Sequence, residues 1–109
     1  MIVSKPWGME TIWAANCHYA GKILHIKAGH RTSLQLHNVK HESLRVLSGQ
    51  LGIELVNDKH CTLEEGETFY LPAGTIHRLS AKGHLDCDVV EVSSPELDDV
   101  VRLEDDYGR

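Results

Sequence analysis

Apolar and polar residues alternate in short runs along most of this chain, and Gly, Pro and Asn-Asp cut the runs at close intervals. Residues 22–27 show the pattern. Lys22, Leu24 and Ile26 share one face and Ile23, His25 and Lys27 the other, because successive side chains of a strand point to opposite sides. Residues 51–56 repeat it, with Leu51, Ile53 and Leu55 opposite Gly52 and Glu54. Further runs at 11–13, 33–37, 44–47, 61–63, 68–71, 77–80 and 85–93 bring the expectation to about nine strands. Turn signals at Ala28-Gly29, Ser48-Gly49-Gln50, Asn57-Asp58, Glu65-Gly66, Pro72-Ala73-Gly74 and Lys82-Gly83 separate them. No segment before residue 94 sustains a 3.6-residue period. The fold class read from this pattern is all-β, a sandwich or barrel of antiparallel strands. Residues 1–109 form one domain, in which 94–109 make a C-terminal arm or a short helix around 97–103.

The run at 33–37 carries a second message. Gln35 and His37 share a face, with Leu34 and Leu36 on the other. If the polar pair looks inward, the leucines look outward, and burying each fully is worth ~1.5–3 kcal/mol. A second layer should therefore lie over them: the N-terminal strand, the C-terminal arm or a partner subunit. A homodimer that buries this face is the expectation.

Charge narrows the function classes. Eleven basic residues against sixteen acidic give a net −5. Residues 95–109 hold six acids and two arginines, a balance of −4, so the rest of the chain is close to neutral at −1. No basic stripe for a nucleic-acid partner is present. Three cysteines, Cys17, Cys61 and Cys87, have no metal-binding spacing and read as free thiols of a reducing compartment. No run reaches the roughly 20 apolar residues of a membrane helix, and the N-terminus lacks a signal-like stretch. The expectation is a cytoplasmic protein with no nucleic-acid or membrane partner.

The candidate chemistry lies in residues 29–49. An amide oxygen (Gln35) and an imidazole (His37) project side by side, and Glu42 follows at the start of the next apolar run. A His, a carboxylate and a carbonyl-type oxygen converging on one point suit a divalent metal. His77, which opens a strand after the turn Pro72-Ala73-Gly74, is the fourth candidate. His41, adjacent to Glu42, is a fallback ligand ranked below His37.

Together these make two glycine-bounded blocks, G-x5-Q-x-H-x4-E-x6-G from residue 29 and G-x5-P-x-G-x2-H from residue 66. They resemble the two motifs of the cupin superfamily, small jelly-roll β-barrels that hold one metal inside. The superfamily usually has His where Gln35 stands and Asn where Ala81 stands. A narrower resemblance covers nearly the whole chain. Lys5-Pro6-Trp7-Gly8 is similar to the RPWG opening of the cupin domain in type II mannose-6-phosphate isomerases, which are often fused to mannose-1-phosphate guanylyltransferase. Ser33-Leu34-Gln35-Leu36-His37 resembles that family's SLQMH, and residues 70–79 its YIPAGTKHRL. Residues 98–109 resemble its DDIVRFEDxYGR terminus. The chain departs from the family after Glu42, with Ser43 and Leu44 in place of His and Trp, and at 38–41, Asn-Val-Lys-His, in place of a His-rich run.

The resemblance implies a jelly-roll cupin with one divalent ion (Zn, Mn, Fe, Co or Ni) on Gln35, His37, Glu42 and His77. It implies a mannose-6-phosphate-type sugar-phosphate isomerase acting through a metal-stabilised enediolate. His25, His30 and Arg31 are the candidate catalytic groups. Lys22, Arg78, Arg102 and Arg109 are candidate substrate-binding cations, the two terminal arginines on an arm that folds over the site. The alternatives are a non-catalytic sugar-binding or regulatory cupin, and a metal-dependent oxygenase or lyase, since fold does not fix function. Guanylyl transfer is not expected, because no Gly-rich phosphate-binding signature occurs.

Overall fold

The computed structural model describes residues 1–108, so Arg109 lies outside the described residues. Eleven strands follow one another: β1 (Ile2–Lys5), β2 (Gly8–Ala15), β3 (Ala20–Ile26), β4 (Leu34–Leu36), β5 (Glu42–Ser48), β6 (Gln50–Glu54), β7 (His60–Leu63), β8 (Thr68–Leu71), β9 (Arg78–Lys82), β10 (Cys87–Ser93) and β11 (Val101–Glu104). No helix occurs among the described residues, and so none long and apolar enough to cross a membrane.

All strand pairs are antiparallel. One sheet has the order β1-β2-β3-β10-β5-β8. The facing layer is built from β11-β4 and β7-β6-β9, joined by the bridges Gln35↔His77 and Arg31↔Ser80. The crossings from one layer to the other make a jelly roll with the core between them.

Alternation explains which side is buried. In β5, Glu42, Leu44 and Val46 are buried while Ser43, Arg45 and Leu47 are exposed. In β10, Cys87, Val89, Glu91 and Ser93 face inward. Leu51 and Ile53 of β6 and Leu79 of β9 meet them from the other layer to form the apolar end of the interior. Glu42, Glu91 and Ser93 continue the same faces past the last hydrophobic residues. The interior thus has an apolar end and a charged end, and the strand ends set the boundary. Two glycines are required by close approach. Gly8, at φ 152°, lies against the His25 carbonyl, where a Cβ would overlap it. Gly49, at φ 80°, turns β5 into β6 against the Asp86 carbonyl.

Several expectations are corrected in detail. Residues 2–5 form a strand on the edge of β2, and 11–13 are only the middle of β2. Residues 94–100 are irregular, and 101–104 form the extended β11, not a helix. β11 pairs with β4, Val101 opposite Leu36 and Arg102 opposite Gln35. The arm therefore flanks Leu34 and Leu36 in the same layer, and both leucines are half-buried. All three cysteines are free, and burial pushes the Cys87 thiol up to about 11.

Ile53 is fully buried between the layers. Ile53→Ala should cost ~2–5 kcal/mol, through lost transfer energy and an unfilled cavity. A urea midpoint unchanged from the parent would contradict this packing.

Candidate metal centre

The site is built where β4, β5 and β9 converge. Gln35 and His77 exchange both backbone hydrogen bonds, at 2.9 and 2.8 Å. Their side chains therefore stand on the same face. His37 follows one alternation beyond Gln35, and its carbonyl is pinned by the Gly74 amide at 2.7 Å. Glu42 opens β5 on its buried face.

His37, Glu42 and His77 are 7%, 2% and 1% exposed. Each offers a ligand atom, and the three atoms lie within 4.8 Å of one another. His37 Nε2 is 3.5 Å from Glu42 Oε2, and His77 Nε2 is 3.8 Å from Glu42 Oε1. The other ring nitrogens are already committed: His37 Nδ1 to the Asp99 carbonyl at 2.6 Å, His77 Nδ1 to the Thr75 carbonyl at 2.9 Å. A carbonyl only accepts, so each Nδ1 carries the proton, and in the neutral ring Nε2 is a bare lone pair aimed at Glu42. Burial, and then the nearby Lys40 charge, hold the His37 imidazole below its usual pKa, which favours that neutral form. His77 Nε2 and Glu42 Oε2 are buried without a hydrogen-bond partner. Buried polar atoms are seldom left so. Two imidazole lone pairs and a carboxylate, two of whose atoms lack a partner, fit a divalent cation. The Gln35 Oε1, which accepts from the Ser33 hydroxyl at 3.2 Å, lines the same cavity.

Two further groups were missed by sequence reasoning. Lys40 is 4% exposed, with Nζ 3.1 Å from Glu42 Oε2 and 3.2 Å from Glu91 Oε2. The contact with Glu42 is an ion pair without hydrogen-bond alignment, which is why that oxygen remains without a donor. Burial works to lower the Lys40 ammonium pKa, but Glu91 and Glu42 together outweigh it and the net shift is upward. Burial, and then the Glu42 charge, push the Glu91 carboxyl above its usual range against the pull of Lys40 and Lys22. Glu91 was legible, since the period-two pattern of Val89, Glu91 and Ser93 places it inward. Lys40 was not, because residues 37–41 follow no strand alternation.

The candidate catalytic residues fall elsewhere. His25 is on the outer face of β3, bonded to Asp88 at 2.8 Å, because Lys22, Leu24 and Ile26 take the inner one. His30 stacks against Tyr107 outside the cavity, with ring centroids 6.5 Å apart. Arg31 is exposed and forms a two-pronged ion pair with Asp106, at 2.7 and 3.0 Å. None of the three lines the cavity. Among the candidate substrate cations, Lys22 reaches inward but its Nζ is held by both oxygens of Glu10 at 3.3 Å. Arg78 is buried under the terminal segment, donating to the Thr32 carbonyl at 3.0 Å and the Glu104 carbonyl at 3.2 Å. Arg102 of β11 lines the cavity. His41, the fallback ligand, is exposed and meets the Tyr70 hydroxyl at 3.2 Å.

The cavity over the centre has a volume of about 80 Å³. One wall is charged, with Glu10, Lys22, Lys40 and Glu91. Trp7, Leu24, Leu97 and Val100 form the apolar one, and the last two belong to the terminal segment. That segment is fastened by Asp99, whose carboxylate accepts from the amides of Asn38, Val39 and Lys40 at 3.0, 2.7 and 2.9 Å. Those three donors, led by the Lys40 amide, hold the Asp99 carboxyl below the usual carboxylate range.

Comparison with known proteins agrees with this geometry. The sequence profile of the family described as mannose-6-phosphate isomerase C-terminal matches residues 1–105. The alginate biosynthesis protein AlgA of Pseudomonas aeruginosa is 34% identical over 110 residues, 98% of this chain and 23% of that protein. The mannose-1-phosphate guanylyltransferase of Escherichia coli K12 is 36% identical over the same shares. The chain thus spans about a quarter of the length of these relatives. Among solved structures, KdgF from a Halomonas species aligns with TM-score 0.79 at 22% identity, covering 91% of this chain and 89% of that one. A cupin-2 domain protein of Shewanella frigidimarina gives TM-score 0.67 at 23% identity over 83% and 82%. These structures share the cupin fold.

Glu42→Gln removes the charge that a cation at this point requires. Protein loaded with Co²⁺ and then dialysed should retain about one equivalent in the parent and a small fraction of it in the variant. Equal retention would remove Glu42 from the ligand set.

Proposed function

The chain belongs to the mannose-6-phosphate isomerase C-terminal family, and on that premise we propose that it is a metal-binding cupin that interconverts an aldose and a ketose phosphate of the mannose-6-phosphate type. The observation that carries this is the convergence of two bare imidazole nitrogens and a carboxylate, one of whose oxygens accepts no hydrogen bond, on one buried point beside a second carboxylate, Glu91. His37, Glu42, His77 and Gln35 would hold the ion. When bound, a divalent cation supplies positive charge that favours the enediolate oxygens.

The chain's own residues divide the remaining work. Glu91 is the cavity carboxylate placed to take the proton from C2 and return it to C1. Its environment favours a more basic carboxylate than a solvated one. Lys40, held between Glu42 and Glu91, keeps both carboxylates oriented. Arg102, opposite Gln35 and facing the cavity, is the phosphate ligand we assign. Lys22 and Arg78 serve the fold, since Glu10, Thr32 and Glu104 already engage them. A cavity of about 80 Å³ is below the roughly 300–1,000 Å³ of small-molecule sites. Entry of a sugar phosphate therefore requires Leu97 and Val100 to move aside. Guanylyl transfer, the activity in the names of relatives that this chain matches over 23% of their length, forms no part of the proposal.

We also propose that two copies associate through the outer side of β4 and β11, where half-buried Leu34 and Leu36 adjoin Val101, 39% exposed. Sedimentation at micromolar concentration should show a dimer that Leu36→Asp dissociates. A monodisperse parent monomer would refute it.

The isomerase test is interconversion of mannose-6-phosphate and fructose-6-phosphate with and without chelator. Activity should be lost with chelator and restored by added metal. Arg102→Ala should raise KM roughly ten- to hundredfold, matching a charge-assisted hydrogen bond of ~1.5–3 kcal/mol. Metal-loaded protein inert toward hexose phosphates would end this reading and leave the cupin fold in place.

A further inference from the structure

We propose that Asp99 is a positioning residue for the metal centre, one that makes the ligand set depend on the docking of the terminal segment. This rests on the reading that the centre binds a divalent cation. Asp99 lies in the irregular stretch between β10 and β11, 62 residues from His37. It nevertheless accepts hydrogen bonds from four consecutive residues of the ligand loop. Its backbone carbonyl takes Nδ1–H of His37 at 2.6 Å, and its carboxylate takes the amides of Asn38, Val39 and Lys40.

Each contact has a separate consequence at the centre. The carbonyl leaves the lone pair of His37 on Nε2, the atom facing Glu42. The carboxylate satisfies three amides in a loop where, among the described residues, no strand partner does so. The third of these amides belongs to Lys40, whose ammonium joins Glu42 to Glu91. One residue therefore sets the ring of one ligand and the course of the loop that leads to another. No other residue of the terminal segment donates to or accepts from residues 37–40 in the bonds described. The segment is also fastened by the β4–β11 pairing and by Ser94, whose amide donates to the His41 carbonyl and whose hydroxyl accepts from the His41 amide, both at 3.1 Å; Arg31–Asp106, Arg78–Glu104 and the Tyr107 hydroxyl on the Arg31 carbonyl lie on the far side of β11. Binding equilibria that share a conformational step are reciprocal. An ion on the ligands should hold the segment down, and a docked segment should hold the ion.

The test uses the full chain, freed of metal, with Co²⁺ titrated against a competing chelator. Asp99→Ala should weaken Co²⁺ roughly ten- to hundredfold, the usual effect of losing a residue that orients a ligand. Asp99→Asn, which keeps one side-chain acceptor oxygen, should recover part of the loss. Arg31→Ala loosens only the far end of the segment and should change affinity by no more than about twofold, as surface substitutions generally do. Two readouts need no metal. Asp99→Ala keeps the carbonyl but loses the three amide bonds that hold it against His37, so the ¹⁵N shifts of His37 should show a proton fixed on Nδ1 in the parent and a mixture of tautomers in the variant. Proteolysis of the terminal segment should be faster in Asp99→Ala than in the parent. If the parent binds no Co²⁺, the metal reading falls. If the parent binds it and Asp99→Ala binds equally well, only the positioning role falls. An Arg31→Ala loss as large as that of Asp99→Ala would also overturn it, because the effect would then belong to docking as a whole. Should Asp99→Ala not fold, Asp99→Asn carries the same comparison.

Discussion

A carboxylate 2% exposed inside a small jelly roll is the constraint around which the charged end of this molecule is arranged. Burying an uncompensated carboxylate costs several kcal/mol. Glu42 is not free to leave the interior, because Leu44 and Val46 on the same face of β5 must be buried. The interior therefore has to supply positive charge or hydrogen-bond donors. Lys40 supplies one charge, whereas His37 and His77, whose Nδ1 protons are taken by carbonyls, turn only Nε2 lone pairs toward Glu42, at 3.5 and 3.8 Å, and these do not offset it. Lys40 alone does not complete the set, since it is shared with Glu91 and leaves one Glu42 oxygen without a donor. A cation between the rings would complete it. On this reading the fold and the site are one problem. The apolar part of β5 forces the acid inward, and the acid recruits the centre.

What the sequence could show follows the same division. Strand parity placed several of the key side chains as expected. Gln35 and His77 are brought onto one face, and Glu42 is buried, as the two blocks implied. Parity also carried the inward position of Glu91, although nothing marked that residue as chemical. His25 shows how parity misleads when the face is misassigned. His25 shares the face of Ile23, opposite Lys22, and the expectation took that face as the inward one. In the structure the Lys22 ammonium is neutralised by Glu10 across β2 and β3, so the lysine face is the inner one. That cross-strand pair is a tertiary fact with no local signature. Arg31 and Arg78 were equally ambiguous, since only the returning chain shows that Asp106 and Glu104 engage them.

The loops were the least legible part and hold much of the control. Residues 37–41 and 94–100 follow no period, so neither Lys40 nor Asp99 could be given a direction from sequence. Their partners lie about sixty residues away in the chain. The choice between helix and extended arm for the terminal segment had the same origin. β4 is a three-residue strand bridged to His77 on one side, and without β11 its other edge would be open; edge strands gain from a neighbour. That demand belongs to β4, so the sequence of the arm does not display it.

The small volume of the cavity then acquires a meaning. About 80 Å³ between a charged wall and the side chains Leu97 and Val100 is a compartment in which charges act at low dielectric. On the proposed reading such a compartment would strengthen the grip of Glu42, His37 and His77 on a cation and would admit a substrate only by opening. The opening part is the segment whose Asp99 orders His37 and the loop of Lys40. Access and ligand order therefore oppose each other through one stretch of chain. A segment that swung away whole would take with it the carbonyl that orients His37 and the carboxylate that holds the Lys40 loop. Moving only Leu97 and Val100 while Asp99 stays bonded would open the cavity and keep those contacts. Arg102, two residues beyond Val100 and paired through β11 to Gln35, would on the proposed reading carry the arrival of a phosphate to the segment that orders the ligands.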